Sequence, residues 1–133
     1  MTEAGDLLDK LKTTRSGAER DALALQLADR GRPEVKHALI DLIDRPELEN
    51  ERGTLVHCLG QYDCSDRISW LVELVCRGNW EVAHEAMDIL QDIESSHGDD
   101  VKRGYDLLLA TRDASVQDDW RAGLVDELLS EFD

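Results

Sequence analysis

A helical pattern recurs in this chain after about one helix pair, and that recurrence restricts the fold more than any other feature. Thr54-Leu55-Val56-His57-Cys58-Leu59-Gly60 is followed, 31 positions on, by Glu85-Ala86-Met87-Asp88-Ile89-Leu90-Gln91. Apolar residues fall at matching places in both, and each segment follows a short polar turn. One such unit cannot bury its own apolar face, so neighbouring units must stack to complete a core. Stacked helical repeats serve mainly as binding surfaces, which moves the expectation away from catalysis.

Local punctuation divides the chain into helices. Ser16-Gly17-Ala18-Glu19 reads as a capping box, in which the serine oxygen and the glutamate carboxylate each take an orphan amide donor. Gly31 suits a left-handed helix stop, and Pro33 suits the first turn of the next helix. Pro46 repeats that arrangement one helix later. Ser65 and Asn79 read as N-caps, Gly78 and Gly98 as breaks, and Ser115-Val116-Gln117-Asp118 as a last helix start. The expected helices span roughly 3–13, 16–30, 33–44, 47–62, 65–77, 79–95, 99–112 and 116–132. No segment alternates with period two, so the fold class is all-α. Short links make neighbouring helices antiparallel, giving a single α-solenoid domain over residues 1–133.

Pairing the eight helices gives four units. In the first helices, Leu39/Leu42/Ile43 correspond to Leu71/Leu74/Val75 and then to Tyr105/Leu108/Leu109. In the second helices, Leu27, Leu59 and Leu90 correspond. The middle two units match most clearly, as expected when the outer repeats cap the stack. Glu51–Ile93 resembles HEAT repeats of the short kind found in phycobilin lyases. The residues that carry the resemblance are Cys58-Leu59-Gly60, Ile68–Leu71, and Trp80-Glu81-Val82-Ala83-His84-Glu85-Ala86 with Leu90. Glu34-Val35-Lys36 is a fainter echo. Ala83 stands where that family usually has arginine, so the usual charge contact between repeats is missing there. The resemblance implies four HEAT-like helix pairs, with the second helix of each pair lining a concave face.

Charge then distinguishes the surfaces. The formal net charge is -15, which repels nucleic acid and anionic membranes. Residues 1–77 carry 15 acidic and 11 basic residues, whereas residues 78–133 carry 15 and 4. The acidic half keeps its hydrophobic periodicity, so the acid sits on folded helices. Met1–Thr14 is too charged for a signal peptide and no apolar run reaches membrane-spanning length. Cys58, Cys64 and Cys76 lack CxxC spacing and read as buried residues in a reducing cytoplasm. A metal site from Cys58, Cys64 and His57 is the alternative.

Glu81, Glu85, Asp88 and Asp92 fall within about 60° of one another at ~100° per residue. Val82, Ala86, Ile89, Leu90 and Ile93 lie on a separate arc and are assigned to the core. Seven acidic residues and no lysine or arginine lie between Arg77 and Lys102. Folding alone favours oppositely charged pairs at this spacing, because like charges at i, i+4 repel. The repeat register sets Asn50, Thr54, His57 and Gln61 beside this row, and adds Asp119, Asp126 and Ser130 from the last helix. Trp80 and Trp120 begin their helices close by, and His84 lies between Trp80 and Asp88, which makes all three candidate contacts. HEAT-repeat hydroxylases that bind two irons carry several His-Glu pairs. His84-Glu85 is one such pair, so neither a metal nor any other cofactor is expected.

No phosphate loop, nucleophile elbow, zinc-protease motif or EF-hand spacing is present, and no basic patch interleaves with aromatics. The expected function is therefore binding of a basic protein. In size, charge and fold the chain resembles the bacterial immunity proteins that neutralise nuclease toxins. That likeness implies a nuclease toxin as the partner. A HEAT-repeat scaffold or regulatory adaptor is the second expectation, and a lyase-like or metal-dependent HEAT enzyme a distant third.

Overall fold

A computed structural model describes residues 3–31, 33–48, 51–93, 98–113 and 119–132, without the side chains of 3–5, 119 and 132. Its described residues are helical with no strand, so the chain is all-α. They form α1 (Glu3–Thr13), α2 (Gly17–Asp29), α3 (Pro33–Ile43), a 3-10 turn (Pro46–Leu48), α4 (Gly53–Leu59), α5 (Ile68–Arg77), α6 (Trp80–Asp92), α7 (Gly98–Asp113) and α8 (Asp119–Phe132). The chain divides into two compact units, Met1–Tyr62 and Asp63–Asp133.

In the first unit, α1 packs on α2, α3 on α4, α1 on α3 and α2 on α4, with α2 also meeting α3. Leu11, Leu27, Leu39, Ile43, Leu55 and Leu59 are fully buried there. Each such side chain is worth about 1.5–3 kcal/mol of transfer free energy, most of it offset by chain entropy. Helix ends follow the expected chemistry in part. Ser16 Oγ accepts from the Glu19 amide at 3.2 Å, closing half of the capping box. The other half differs: the Ser16 amide donates to Thr14 Oγ1 at 3.2 Å. Gly31 ends α2 at φ +64°, in the left-handed region, and Pro33 opens α3. We expect Ser16→Ala to cost about 1 kcal/mol in urea unfolding. Glu19→Ala should leave unfolding nearly unchanged, because Thr14 already satisfies the amide that a capping glutamate would take.

The fourth helix is shorter than its sequence pattern. Pro46–Leu48 tightens into a 3-10 turn, with the Leu48 amide donating to Arg45 O at 3.1 Å. The α-helix proper begins only at Gly53 and stops before Gly60. Glycine at both ends costs helix propensity, and the two segments carry separate anchors, Leu48 and Leu55. Asn50, expected in the polar register, lies outside the described residues, and Gln61 falls beyond the end of α4.

Three arginines close the carboxyl ends of two helices in this unit. Arg20 Nη2 donates to Thr14 O and Arg45 Nη1 to Lys12 O, both at the carboxyl end of α1. Arg52 Nη1 donates to Ile43 O, the last carbonyl of α3. Such carbonyls lack a partner inside the helix and carry the negative end of its dipole, so a cation is favoured there.

In the second unit α5 packs on α6, α7 and α8, while α8 also packs on α6 and α7. Leu71, Val72, Val75, Val82, Ala86 and Leu108 are fully buried. Ser65 is not an N-cap. Its amide donates to Asp63 Oδ1 at 2.9 Å in a turn, and α5 starts three residues later. The cap of α5 comes instead from α7: Asp100 Oδ2 accepts from the Ile68 amide at 2.8 Å, and Oδ1 from Ser69 Oγ at 2.5 Å. Gly104 makes that reach attainable. A Cβ there would stand 3.1 Å from Val72 Cγ2, so a larger residue would press on Val72 where α7 lies against α5. Asp100, Gly104 and Leu108 repeat every fourth residue and therefore share one face of α7.

Candidate functional site

The site is built at the amino end of α6. Gly78 turns the chain out of α5 in an extended conformation, its amide donating to Leu74 O at 2.8 Å. A Cβ on Gly78 would lie 2.6 Å from both Leu74 O and Val82 Cγ1, so glycine is required by space. Asn79 then caps α6, Oδ1 accepting from the Val82 amide at 2.9 Å, as its residue type predicts. This two-residue link places Trp80 as the first helical residue, with 57% of its surface exposed.

Trp80 begins a ladder of rings. The His84 ring lies 4.1 Å from it, centroid to centroid, at 34°. His84 Nδ1 is 2.7 Å from Trp80 O, so the tautomer protonated at Nδ1 donates to that carbonyl. Trp120, from α8, stands 5.9 Å beyond His84 at 38°. The Arg121 guanidinium covers Trp120 at 4.4 Å, within cation–π range. Arg121 is itself anchored: Nη1 donates to Val75 O and Nη2 to Gly78 O, both at 2.8 Å. The arginine thus closes the carboxyl end of α5 and fixes one end of the ladder.

The acidic row continues from the ladder along α6. Glu81, Asp88 and Asp92 are exposed, whereas Glu85 is half-buried. On the core side of the helix, opposite the acidic row, Val82, Ala83, Ala86, Met87 and Ile89 are buried. Ala83 is fully covered, so an arginine at this position would have no room in this chain. Leu90 and Ile93 depart from their assignment to the core. Both are half-buried and, with Ile68, Val101 and Leu128, line an open cleft of ≈ 260 Å³ rimmed by Gln91 and Glu131. Gln91 Nε2 donates to Glu127 Oε1 at 3.1 Å and to Glu131 Oε1 at 3.3 Å, which brings two carboxylates of α8 to the end of the α6 row.

Most cations of this unit are engaged away from the row. Arg77 pairs with Glu73, Arg103 with Asp100 and Arg112 with Asp113, besides the anchoring of Arg121. Trp80, Glu81, His84, Glu85, Asp88 and Asp92 therefore form one continuous strip, which Trp120 joins from α8. Asp126 is exposed on α8, one position before the Glu127 that reaches Gln91. Asp119 opens α8, but its side chain lies outside the described residues, as do Ser115-Val116-Gln117-Asp118. His57 is exposed on α4 in the first unit. The residues not anticipated are Arg121, Glu127 and Glu131. Only the Glu127/Glu131 spacing of one helical turn gave any hint of them.

Among the described residues, no three His, Cys, Asp or Glu side chains converge as metal binding requires. The three cysteines are buried. Burial pushes the Cys76 thiol up despite lowering by the Thr111 hydroxyl and Arg121, which keeps it protonated and poorly nucleophilic. No described helix is long and apolar enough to cross a membrane. No protein family, curated protein or solved structure matches the chain.

Proposed function

We propose that the protein is a non-catalytic binding module whose α6 strip captures a basic protein, in the manner of an immunity protein neutralising a nuclease-type toxin. The observation that carries this is a row of carboxylates with no lysine or arginine on its helix, headed by an exposed tryptophan. Folding gains nothing from such a row, since like charges one turn apart repel. A basic partner converts that repulsion into steering, which can raise association rates roughly 10–10³-fold. A nuclease offers a basic surface of this kind because it must hold phosphate. Nucleic acid and anionic membranes are disfavoured as ligands by the same charge. Buried cysteines suit a reducing cytoplasm as the place of action.

The helix packing supports a HEAT-like arrangement within each unit. First helices pack together (α1 on α3, α5 on α7), second helices pack together (α2 on α4, α6 on α8), and each pair packs internally. An adaptor that grips a protein segment is the second reading. The apolar cleft between Leu90, Ile93 and Leu128 favours it, because it could seat a side chain of that segment.

Glu81→Lys combined with Asp88→Lys tests the proposal, since both side chains are exposed. Affinity for a basic partner, with the product of the adjacent gene as the first candidate to test, should fall about tenfold or more, mostly through the on-rate at low salt. Far-UV circular dichroism should stay unchanged. Undiminished affinity would place the interface elsewhere. Failure of the wild-type protein to protect cells from that neighbouring product would favour the adaptor.

A further inference from the structure

We infer that the exposed end of the ring ladder is a receptor for an arginine side chain of the partner, its guanidinium stacking on Trp80 and pairing with Glu81. The inference rests on the binding reading above and goes further by naming the chemical group recognised. Among the large apolar side chains described, only Leu25 and Trp80 stand exposed, and Trp80 is the more exposed of the two. An indole left in water at a helix start, where nothing in the cap requires it, is an apolar surface held open at a cost. The Asn79 cap fixes the backbone at Trp80, and the His84 ring lies 4.1 Å from the indole. That neighbour reduces the rotamer freedom to be lost on binding.

The ladder already shows what its rings accept. At its other end Arg121 lies 4.4 Å over Trp120, held there by hydrogen bonds to two carbonyls. A second guanidinium on Trp80 would terminate the ladder in the same way. Glu81 follows Trp80 directly and is exposed, and the nearest acids further along α6 extend the same negative field. Arginine is favoured over lysine because a planar, weakly hydrated guanidinium stacks on an indole while its edge still donates to a carboxylate.

The test uses two short Gly/Ser-spaced peptides, one carrying three arginines and the other three lysines. Each is titrated into ¹⁵N-labelled full-length protein, with the indole N–H signals of Trp80 and Trp120 followed and that of Trp70 as internal reference. The Trp80 signal should shift saturably, with roughly two- to fivefold tighter binding of the arginine peptide. Trp80→Leu should abolish that preference while both peptides still bind in a salt-sensitive way, and Trp80→Phe should retain part of it. Equal affinities for the two peptides, or a preference that survives Trp80→Leu, would overturn the inference. Equal affinities for the two peptides do not touch the acidic-face proposal, which is contradicted separately if Glu81→Lys with Asp88→Lys leaves the binding of both peptides unchanged.

Discussion

Replacing Arg121 with methionine is expected to lower the unfolding free energy by about 2–4 kcal/mol and the melting temperature by roughly 8–15 °C. The guanidinium makes two charge-assisted hydrogen bonds, to Val75 O and Gly78 O, at a helix end where these carbonyls lack helical partners. Methionine keeps much of the aliphatic stem and removes both donors, so two part-buried carbonyls lose their partner. The same change strips the cation from Trp120, 4.4 Å away. The ring ladder should loosen as a result, and near-UV circular dichroism should weaken before any loss of helix content. Arg121→Lys separates charge from geometry. An ammonium keeps the favourable interaction with the helix dipole but does not fork to two carbonyls, so it should recover less than half of the loss. A methionine variant that melts within about 2 °C of wild type would show that α5 and α8 are held together by their apolar contacts alone.

Arg121 also marks where sequence reasoning stops. A basic residue in the first turn of a helix is unfavourable to that helix's own dipole, so α8 alone suggests no role for it. Its purpose is visible only once α8 lies against the carboxyl end of α5, more than forty positions back along the chain. The helices themselves were legible because their signals are local. Ser16 and Asn79 cap within three residues, Gly31 adopts the left-handed stop, and the apolar period of 3.6 identifies the buried faces. The expected 47–62 helix failed for a related reason. Its apolar residues keep helical spacing, yet the backbone forms only a 3-10 turn at Pro46–Leu48 and α4 begins at Gly53.

The proposed binding strip was half legible. Trp80, Glu81, Glu85, Asp88 and Asp92 lie on one helix, so periodicity alone aligns them. Trp120 meets His84 only through the packing of α8 on α6, and Gln91 meets Glu127 and Glu131 through the same packing. The assignment of Leu90 and Ile93 to the core followed the helical arc correctly. That arc, however, runs past the end of the packed interface, and both residues line an open cleft instead. Periodicity gives the direction in which a side chain points, and only tertiary packing decides whether anything lies there.

Asp100→Ala is expected to destabilise the protein by about 2 kcal/mol at neutral pH, and Asp100→Asn by about half as much. In sequence Asp99-Asp100 reads as a capping and solvation pair of its own helix. In the structure Asp100 serves α5, through the Ile68 amide at 2.8 Å and the Ser69 hydroxyl at 2.5 Å. Arg67, the cap position of α5, makes no side-chain cap bond of its own, so the carboxylate has no local substitute. Burial pushes the Asp100 carboxyl up, but the Ser69 hydroxyl, the Ser69 and Ile68 amides and Arg103 outweigh it and hold the group below its ordinary value of 3.8. A carboxyl lowered by folding contributes stability that is complete above its unfolded value and is lost as pH falls through its folded value. The gap between wild type and Asp100→Ala should therefore be constant from pH 7 to about 5 and narrow below 3.8. Urea unfolding of both proteins across that range measures it directly, since titration of the other carboxylates cancels in the difference. A gap that persists unchanged to pH 2 would mean that the ionised form of Asp100 carries no advantage. The cap would then act as an ordinary neutral hydrogen bond.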